Sequence, residues 1–323
     1  MPHQYDLLVV GDANPDVILG PLDGPLAFGQ REQLVESGSF TIGGSAAIMA
    51  CGAARLGLRV AFAGRVGDDE AGRYLRDTLA ARGIATGGLH MDPGRPTPLT
   101  VVLTRGDDRA VLTSPGTLTA VRGADVPEEL LAASRHVHTA SYFLQPRLAA
   151  DLPAVLRTAR ARGATTSLDT QDDPSDRWQG LDAVLAETDI LLPNAQEALR
   201  LAGPGVPGVR EAAELLAARG PLTVVKNGAD GALCHDGLAL LTAPGLPVEV
   251  VDTVGAGDSF DAGFVAATLD GRPPYEALRF AVVCGALSTR AAGGTTAQAT
   301  WDEALAHLTR TGHPLTRTGA PLV

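Results

Sequence analysis

The stretch from Val250 to Phe264, VVDTVGAGDSFDAGF, decides the fold of this 323-residue chain. The β-branched run that ends at Asp252 predicts a strand, two glycines follow in a turn, and apolar residues at Phe260 and Phe264 predict a helix. A strand, a glycine turn and a helix in this order form a site for an anion. The first N–H groups of a helix have no partner within it, and the helix dipole adds partial positive charge there.

Asp258, at the end of the turn, has two interpretations. Gly255 and Gly257 lack a Cβ, so the backbone can take unusual dihedrals and an oxyanion can approach closely. A carboxylate here would repel that anion, unless it takes a proton from the group that attacks it. Alternatively, Asp258 is only a helix N-cap. The stretch is not a dinucleotide fingerprint, because Phe260 occupies the third glycine position, and no Gly-Lys-Ser/Thr of a P-loop follows.

The stretch resembles the signature of the ribokinase-like (PfkB) carbohydrate kinases, Asp-Thr-x-Gly-Ala-Gly-Asp-x-Phe, and matches every fixed position. The resemblance implies ATP and Mg²⁺ as cofactors and Asp258 as the base that deprotonates a substrate hydroxyl. It implies an anion hole for the transferred phosphoryl group, built from the amides of Gly255, Ala256 and Gly257. It also implies Thr253 beside the nucleotide and a monovalent cation, K⁺, at the carbonyls of Asp252 and Val254.

The resemblance further implies the α/β fold of this family, a three-layer sandwich with a mostly parallel central sheet and a small β lid. The sequence agrees, because strands alternate with helices nearly throughout. We expect a single domain over residues 1–323, with lid strands inserted at about 17–42 and 97–114. In the family the lid covers the sugar, and in some members it forms a homodimer.

Composition excludes several classes of function. Apolar residues make up 45 % of the chain, enough for a large core, and the net charge of -11 disfavours nucleic acid as a partner. We expect no membrane segment, because no apolar run approaches the length of a span, and no signal peptide precedes the first strand. Three widely spaced cysteines without a C-x-x-C pair favour a reducing, cytoplasmic location.

The first predicted strand, Tyr5–Val10, is followed by a polar segment that contains Asn14 and Asp16. Ligands of open α/β sheets gather at the carboxyl ends of strands. A turn rich in Asn and Asp is the alternative interpretation. The resemblance implies that Asp16 binds substrate hydroxyls, with Asn14 as a second candidate for a small-molecule substrate.

A glycine pair, Gly43 and Gly44, opens the first predicted helix. The family pattern here is Gly-Gly-x-x-x-Asn, and the resemblance makes both glycines candidates for close backbone contact with the substrate. Ile48 occupies the position of the Asn. We therefore expect a more apolar pocket there, and an acceptor that is an unusual sugar, a nucleoside or a less hydroxylated molecule.

A strand is predicted over Arg135–Ser141. His136 and His138 lie two apart and share one face of it, but a metal site usually needs three or four ligands. Gln145 follows this strand, and the resemblance implies that it contacts substrate. Asp169 follows the next predicted strand, where the family has an Asp or Asn near the phosphates, although a simple turn explains it equally well.

Two further segments match the part of the family that binds ATP. Asn194 and Glu197 form a capping box and also match the Asn-x-x-Glu motif, which supports Mg²⁺ through water. Lys226 ends a predicted strand, and the resemblance places it, Gly228 and Gly231 near the ATP phosphates. The Asn-Gly pair that precedes Ala229 is also a strong turn signal.

The sequence therefore predicts an ATP-dependent kinase that phosphorylates a hydroxyl group of a small sugar or a sugar-like molecule. One alternative is a nucleoside kinase of the same fold, with Phe40 or Tyr142 as a stacking ring. The other alternative is a non-catalytic binding or regulatory protein, since a fold alone does not guarantee activity. The stretch from Gly203 to Gly208 formally matches G-x-G-x-x-G, but two prolines and the lack of a preceding strand indicate a surface turn.

Overall fold

A computed structural model describes residues 3–106 and 108–310. Within these ranges the chain forms thirteen strands, which are β1 (Tyr5–Val10), β2 (Asn14–Gly20), β3 (Ser37–Gly43), β4 (Val60–Gly67), β5 (Ala85–Asp92), β6 (Leu99–Arg105), β7 (Asp108–Ser114), β8 (Ser134–Thr139), β9 (Thr165–Leu168), β10 (Ile190–Leu191), β11 (Leu222–Lys226), β12 (Ala232–His235) and β13 (Leu240–Ala243). The same ranges hold ten α-helices, which are α1 (Ser45–Arg55), α2 (Glu70–Ala81), α3 (Glu128–Ala133), α4 (Pro146–Ala161), α5 (Asp182–Leu185), α6 (Ala195–Ala202), α7 (Val209–Ala217), α8 (Ala256–Leu269), α9 (Pro274–Ser288) and α10 (Trp301–Arg310). None of these helices has the length and hydropathy to cross a membrane.

The large sheet has nine strands in the order β13-β12-β11-β10-β9-β8-β1-β4-β5. From β11 to β5 every neighbouring pair is parallel. Only the pairs β11–β12 and β12–β13, at one edge, are antiparallel. This arrangement confirms the mostly parallel central sheet, and helices supply the crossovers that parallel strands need.

The central strand β1 shows why the sheet is covered on both faces. Leu7 and Val9 point into one apolar cluster, which contains residues of α1, α8, α9 and α10. Leu8 and Val10 point into a second cluster, which contains residues of α4, α6 and α7. Alternate residues of a strand face opposite sides, so a continuous apolar run produces the three-layer sandwich.

Helix α8 is held tightly in the first cluster. Phe260 and Phe264 lie four residues apart on one helix face and are buried, and each phenyl group contributes about 2–3 kcal/mol by leaving water. At Gly263 a Cβ would lie 2.9 Å from Cys284 Sγ on α9, so the two helices pack at a distance that only glycine allows. The residues before α8 are therefore attached to a rigid element.

The small sheet has the order β3-β2-β6-β7 and corresponds to the expected lid. Its first strand begins at Asn14, slightly before the expected boundary. Residues 21–36, between β2 and β3, contain no strand or helix, so the inserted segment is less regular than expected. Strand β7 is exposed along its whole length.

Candidate active site

The carboxyl ends of the parallel strands meet the amino end of α8 at one edge of the large sheet. Asp12 follows β1, Asp169 follows β9, and Lys226 ends β11. Asn194, shortly after β10, is joined to Lys226 by an isolated parallel bridge. The sheet thus brings residues that are far apart in sequence to one edge. Ligands of open α/β sheets bind outside this edge.

The glycine turn before α8 has the geometry expected of an anion site. The strand predicted to end at Asp252 is wrong, because residues 244–255 contain no strand. The helix begins at Ala256, and Gly255 is its N-cap with a left-handed φ of +71°. A Cβ at Gly255 would lie 2.7 Å from Gly294 Cα and 2.9 Å from a methyl of Ile48, so only glycine fits. Asp258 is the third residue of the helix, and the interpretation of Asp258 as the N-cap is therefore wrong. The amides of this first turn face outward, as helix geometry requires.

Asp258 is 7 % exposed. The Ser45 hydroxyl donates a hydrogen bond to its Oδ1, and Gln171 Nε2 lies 3.3 Å from the same oxygen. Burial raises the pKa of Asp258 to about 7, with further repulsion from Asp169 and Asp12, against the Ser45 hydrogen bond and Lys226. A carboxylate with this pKa suits general-base catalysis at neutral pH, because such catalysis is most efficient when pKa and working pH are close.

A buried ion cluster lies beneath the turn. Lys226, the only lysine in the sequence, places its Nζ 2.7 Å from Asp169 Oδ2 and 3.1 Å from Asp261 Oδ2. Although burial opposes its charge, the neighbouring carboxylates raise the pKa of Lys226, so the ammonium stays protonated. A Cβ on Gly257 would lie 3.5 Å from Nζ, which places this cation beside the amides of the turn.

A cavity of about 550 Å³ opens next to the same turn. Its walls include Ala256 and Gly257 of the turn, and Gly228 and Gly231 of the β11–β12 connection. The remaining lining is mostly apolar and includes Leu246, Val248, Val250, Phe260 and Val282. An apolar cavity that ends at an anion site has the layout of a nucleotide pocket, because the base needs apolar walls and the phosphates need amides and a cation.

Comparison with known proteins agrees with this geometry. The model of the pfkB family carbohydrate kinases matches residues 4–301. The chain belongs to this family. An ATP-dependent ribose-1-phosphate kinase of Halopiger xanaduensis is 33 % identical over 292 residues, covering 90 % of this chain and 94 % of the relative. A fructokinase of Klebsiella pneumoniae is 33 % identical over 274 residues, covering 79 % and 88 %.

In fold, the kinase superimposes on an Escherichia coli protein solved with ATP and Mg²⁺. The TM-score is 0.82 at 23 % identity, with 95 % of this chain and 99 % of the other covered. Family membership and these relatives establish the activity in outline. The chain is an ATP-dependent phosphotransferase that acts on a hydroxyl group of a small sugar.

On the lid side of the site, Asp16 and Asn14 lie together at the start of β2. Asn14 Nδ2 donates to Asp16 Oδ1 at 2.8 Å and to Thr100 Oγ1 at 3.1 Å. A Cβ on Gly43 would collide with the Asp16 carboxylate, so this glycine lets the carboxylate lie against the backbone. Burial, and then repulsion from Asp12 and Asp252, raise the pKa of Asp16 to about 7.

Asp12 holds the amino end of α1, a role that sequence reasoning missed. Its carboxylate accepts hydrogen bonds from the amides of Ser45 at 3.1 Å and Ala46 at 3.0 Å. Gly44, the N-cap of α1, has a left-handed φ of +86° and lies against the backbone of residues 12–13. A cap supplied by a distant segment of the chain leaves no local sequence signal, because capping rules describe neighbours within a few residues.

Gln145 is fully buried, and its Nε2 donates to the carbonyls of Ala140 at 2.9 Å and Ser141 at 3.2 Å. The side chain therefore braces the turn after β8, and the expected substrate contact stays a prediction. His136 and His138 share Ser167 as a partner, at 2.7 and 2.8 Å. Burial lowers the pKa of His136 to about 3 and of His138 to about 4, so both rings are neutral.

Asn194 and Glu197 form the predicted capping box. Asn194 Oδ1 accepts from the amide of Glu197 at 3.0 Å, and Glu197 Oε2 accepts from the amide of Asn194 at 2.9 Å. Both carboxylate oxygens are engaged within the box, since Asn194 Nδ2 binds Oε1. The geometry suits a metal contact through water more than direct ligation.

Asp252 ties the turn to the segment after α9. Its Oδ1 accepts from the amide of Val254 at 3.0 Å, and its Oδ2 accepts from the amide of Gly293 at 2.8 Å. Gly231 closes the β11–β12 connection, where a Cβ would collide with the carbonyl of Ala243. Packing alone therefore requires a glycine at position 231, whether or not a ligand binds nearby.

Ile48 differs from the expectation of an apolar pocket wall. Its side chain is 3 % exposed and lies behind the turn, where a Cβ on Gly294 would be 2.7 Å from Ile48 Cδ1. Its Cγ2 methyl group packs against the turn at Gly255. The family's Asn is thus replaced here by a packing residue, and the polarity of the cleft is set by other side chains.

Proposed function

We propose that the kinase holds a monosaccharide between Asp16 and Asp258 and transfers the γ-phosphoryl group of ATP to one of its hydroxyls. Asp258 takes the proton of the attacking hydroxyl. The amides of Gly255, Ala256 and Gly257 stabilise the charge on the transferred group, so catalysis depends on positioning and electrostatics. The observation that carries this proposal is a buried carboxylate, with a pKa of about 7, on the first turn of α8.

The nucleotide occupies the apolar cavity, with its phosphates toward Gly228, Gly231, Thr253 and Lys226. Mg²⁺ prefers oxygen ligands and keeps several waters, which fits the engaged oxygens of the Asn194–Glu197 box. When bound, Mg²⁺ neutralises charge on the phosphates. The carboxylate of Asp252 already accepts hydrogen bonds from two amides. A K⁺ ion would therefore bind to the backbone carbonyl of this residue.

The acceptor is a monosaccharide, with ribose 1-phosphate as the first candidate and fructose as the second, following the names of the relatives. A lid arginine supports an acceptor that carries a phosphate. The register pairs Thr104 with Arg109 and Thr100 with Thr113, so Arg109 lies on the same lid face as Asp16. Its guanidinium donates to Thr253 Oγ1 at 2.9 Å, across the entrance of the cleft.

A nucleoside acceptor is less well supported. Phe40 packs on Tyr74 with ring centroids 4.9 Å apart. Tyr142 is buried and donates its hydroxyl to the carbonyl of Gly180 at 2.9 Å. Both rings suggested for base stacking are therefore engaged elsewhere.

The test is ADP release with ATP and Mg²⁺ against ribose 1-phosphate, fructose, ribose and adenosine. We expect the highest kcat/KM for one of the two sugar candidates. Chelation with EDTA is expected to abolish the signal, and replacing K⁺ by Na⁺ is expected to lower it. A preference for adenosine would overturn the proposed acceptor, and full activity in Na⁺ would remove the K⁺ site.

We further propose that the lid forms a homodimer interface. Phe40 and Leu112 are more than half exposed on it, at 53 % and 56 %, on the lid face opposite Asp16, and exposed apolar groups of this kind mark interaction surfaces. Sedimentation equilibrium of wild type and Leu112→Asp tests this, with a wild-type monomer as the contrary result.

The three cysteines, all free and buried, are consistent with the cytoplasmic location that we propose.

A further inference from the structure

Gln171 makes an unusual set of contacts beside the proposed base. Its Nε2 lies 2.8 Å from Ser45 Oγ, 2.7 Å from Asp169 Oδ2 and 3.3 Å from Asp258 Oδ1. Carboxylates accept and an amide nitrogen donates, so the amide must point its nitrogen toward these oxygens. Through one side chain, Asp258 is connected to Asp169 and from there to Lys226.

The backbone of Gln171 supports a functional role. Its φ is +56°, a left-handed conformation that costs a residue other than glycine about 1–2 kcal/mol. The Asp169 carboxylate holds this conformation, because it also accepts from the Gln171 amide at 3.3 Å. Without that backbone conformation the side chain would not be presented to Ser45 and Asp258.

The contacts divide the two oxygens of the base. In the part of the chain that the structure describes, the hydrogen bonds given to Asp258 both reach Oδ1, one from Ser45 and one from Gln171. Oδ2 is left for the hydroxyl of the acceptor. A carboxylate held by one oxygen presents the other in a fixed direction, and a misplacement of about 1 Å can reduce turnover about 100-fold.

We propose that Gln171 is a positioning residue of this kinase, whose amide, together with the Ser45 hydroxyl, orients the Asp258 carboxylate toward the acceptor. The inference rests on the proposed role of Asp258 as the base. It assigns no contact between Gln171 and ATP, since Gln171 is not part of the wall of the nucleotide cavity.

The amide also acts among charges. Asp258 is faced by Asp12 after β1, Asp169 after β9, Lys226 at the end of β11, and Asp261 on its own helix. Three of these four groups are acidic and disfavour the ionised base. A neutral donor on Oδ1 favours the ionised form, so loss of the Gln171 amide should shift the acid limb of the pH profile to higher pH.

The experiment compares Gln171→Leu, Gln171→Glu and Gln171→Asn with wild type. For Gln171→Leu we expect kcat to fall about 10- to 100-fold, KM for ATP to stay within about twofold, and the acid limb of kcat/KM to move to higher pH. Gln171→Glu adds a negative charge and should move the acid limb of kcat/KM to still higher pH. Wild-type kcat and an unmoved pH profile in folded Gln171→Leu would overturn the inference.

Gln171→Asn keeps the proposal testable if the leucine variant does not fold. Asn tolerates the left-handed conformation but is one methylene shorter, so we expect normal stability and reduced kcat; normal kcat would overturn the proposal. Gln30→Asn is the matched control, because Gln30 is exposed with a φ of +62°, and its kcat should not change.

Asp258→Asn, assayed in parallel, separates the two assignments. An inactive Asp258→Asn with a fully active Gln171→Leu would reject only the positioning role. A fully active Asp258→Asn would reject the base itself, and with it the reason for the positioning.

Discussion

The two walls of the proposed acceptor cleft differ in how firmly their side chains are held. On the sheet side, Asp258 and Lys226 are 7 % and 9 % exposed and are linked by ion pairs and hydrogen bonds through Asp169 and Gln171. On the lid side, β7 is exposed along its full length, and Arg109 reaches the sheet side through one hydrogen bond to Thr253.

This difference separates chemistry from access. Groups that stabilise developing charge act best when they are fixed before the reaction and shielded from water. A lid must open for each substrate, and segments with few buried apolar contacts open at low free-energy cost. We therefore expect changes on the sheet side to alter stability and kcat, and changes on the lid side to alter KM.

The largest expected effect follows the removal of the buried cation. Lys226→Met leaves Asp169 and Asp261 without their partner, and breaking a buried ion pair in this way costs about 3–5 kcal/mol of unfolding free energy. Urea denaturation measures it. The matched control is Arg76→Met, which breaks the exposed pair with Asp77 at 3.0 Å and should cost under about 1 kcal/mol. Equal losses in the two variants would contradict the contrast between buried and exposed pairs.

Next in size is the loss of Asp258, the proposed base. Asp258→Asn keeps the shape of the side chain but cannot take a proton, and we expect kcat to fall roughly 100-fold or more. Asp302→Asn, an exposed change on α10, serves as the control in the same ADP-release assay. Turnover near wild type in Asp258→Asn would show that the sheet side does not supply the base.

The same variant should be more stable than wild type at pH 8. The pKa of Asp258 is raised by burial from 3.8 to about 7, so the folded state binds a proton that the unfolded state releases. The contribution of Asp258 to the free energy of unfolding therefore falls as pH rises from about 4 to 7, and it stays at this lower value above pH 7. Removing the charge should restore on the order of 1–3 kcal/mol. Urea denaturation at pH 4 and pH 8 tests this, since no gain at pH 8 would contradict the sign.

The smallest effect is expected at the lid. Arg109→Ala should raise the KM for a phosphorylated acceptor about tenfold, as expected for one charge-assisted hydrogen bond. Its kcat and unfolding free energy should change little, because exposed substitutions usually lie within about 0.5 kcal/mol. Arg105→Ala, in the paired strand β6, is the control. A fall in kcat with an unchanged KM would place Arg109 in the chemistry and weaken the division between the walls.

Much of the site could be predicted from the sequence because its signals are local. The glycine turn, the helix with Phe260 and Phe264, and the Asn194–Glu197 box each lie within a few residues, where dihedral preferences and capping determine structure. The alternation of strands and helices likewise predicts the sheet and its active edge.

Tertiary structure decided the contacts that give these residues their chemistry. Ser45 and Asp258 are 213 residues apart in sequence. Gln171 contacts both because β9 ends, and α1 and α8 begin, at the same edge of the large sheet. The contacts of Ile48 with the glycine turn and of Gln145 with the turn after β8 likewise depend on the tertiary structure. A periodic pattern determines which face of an element is buried, but the partner of a buried polar group depends on how distant elements are brought together.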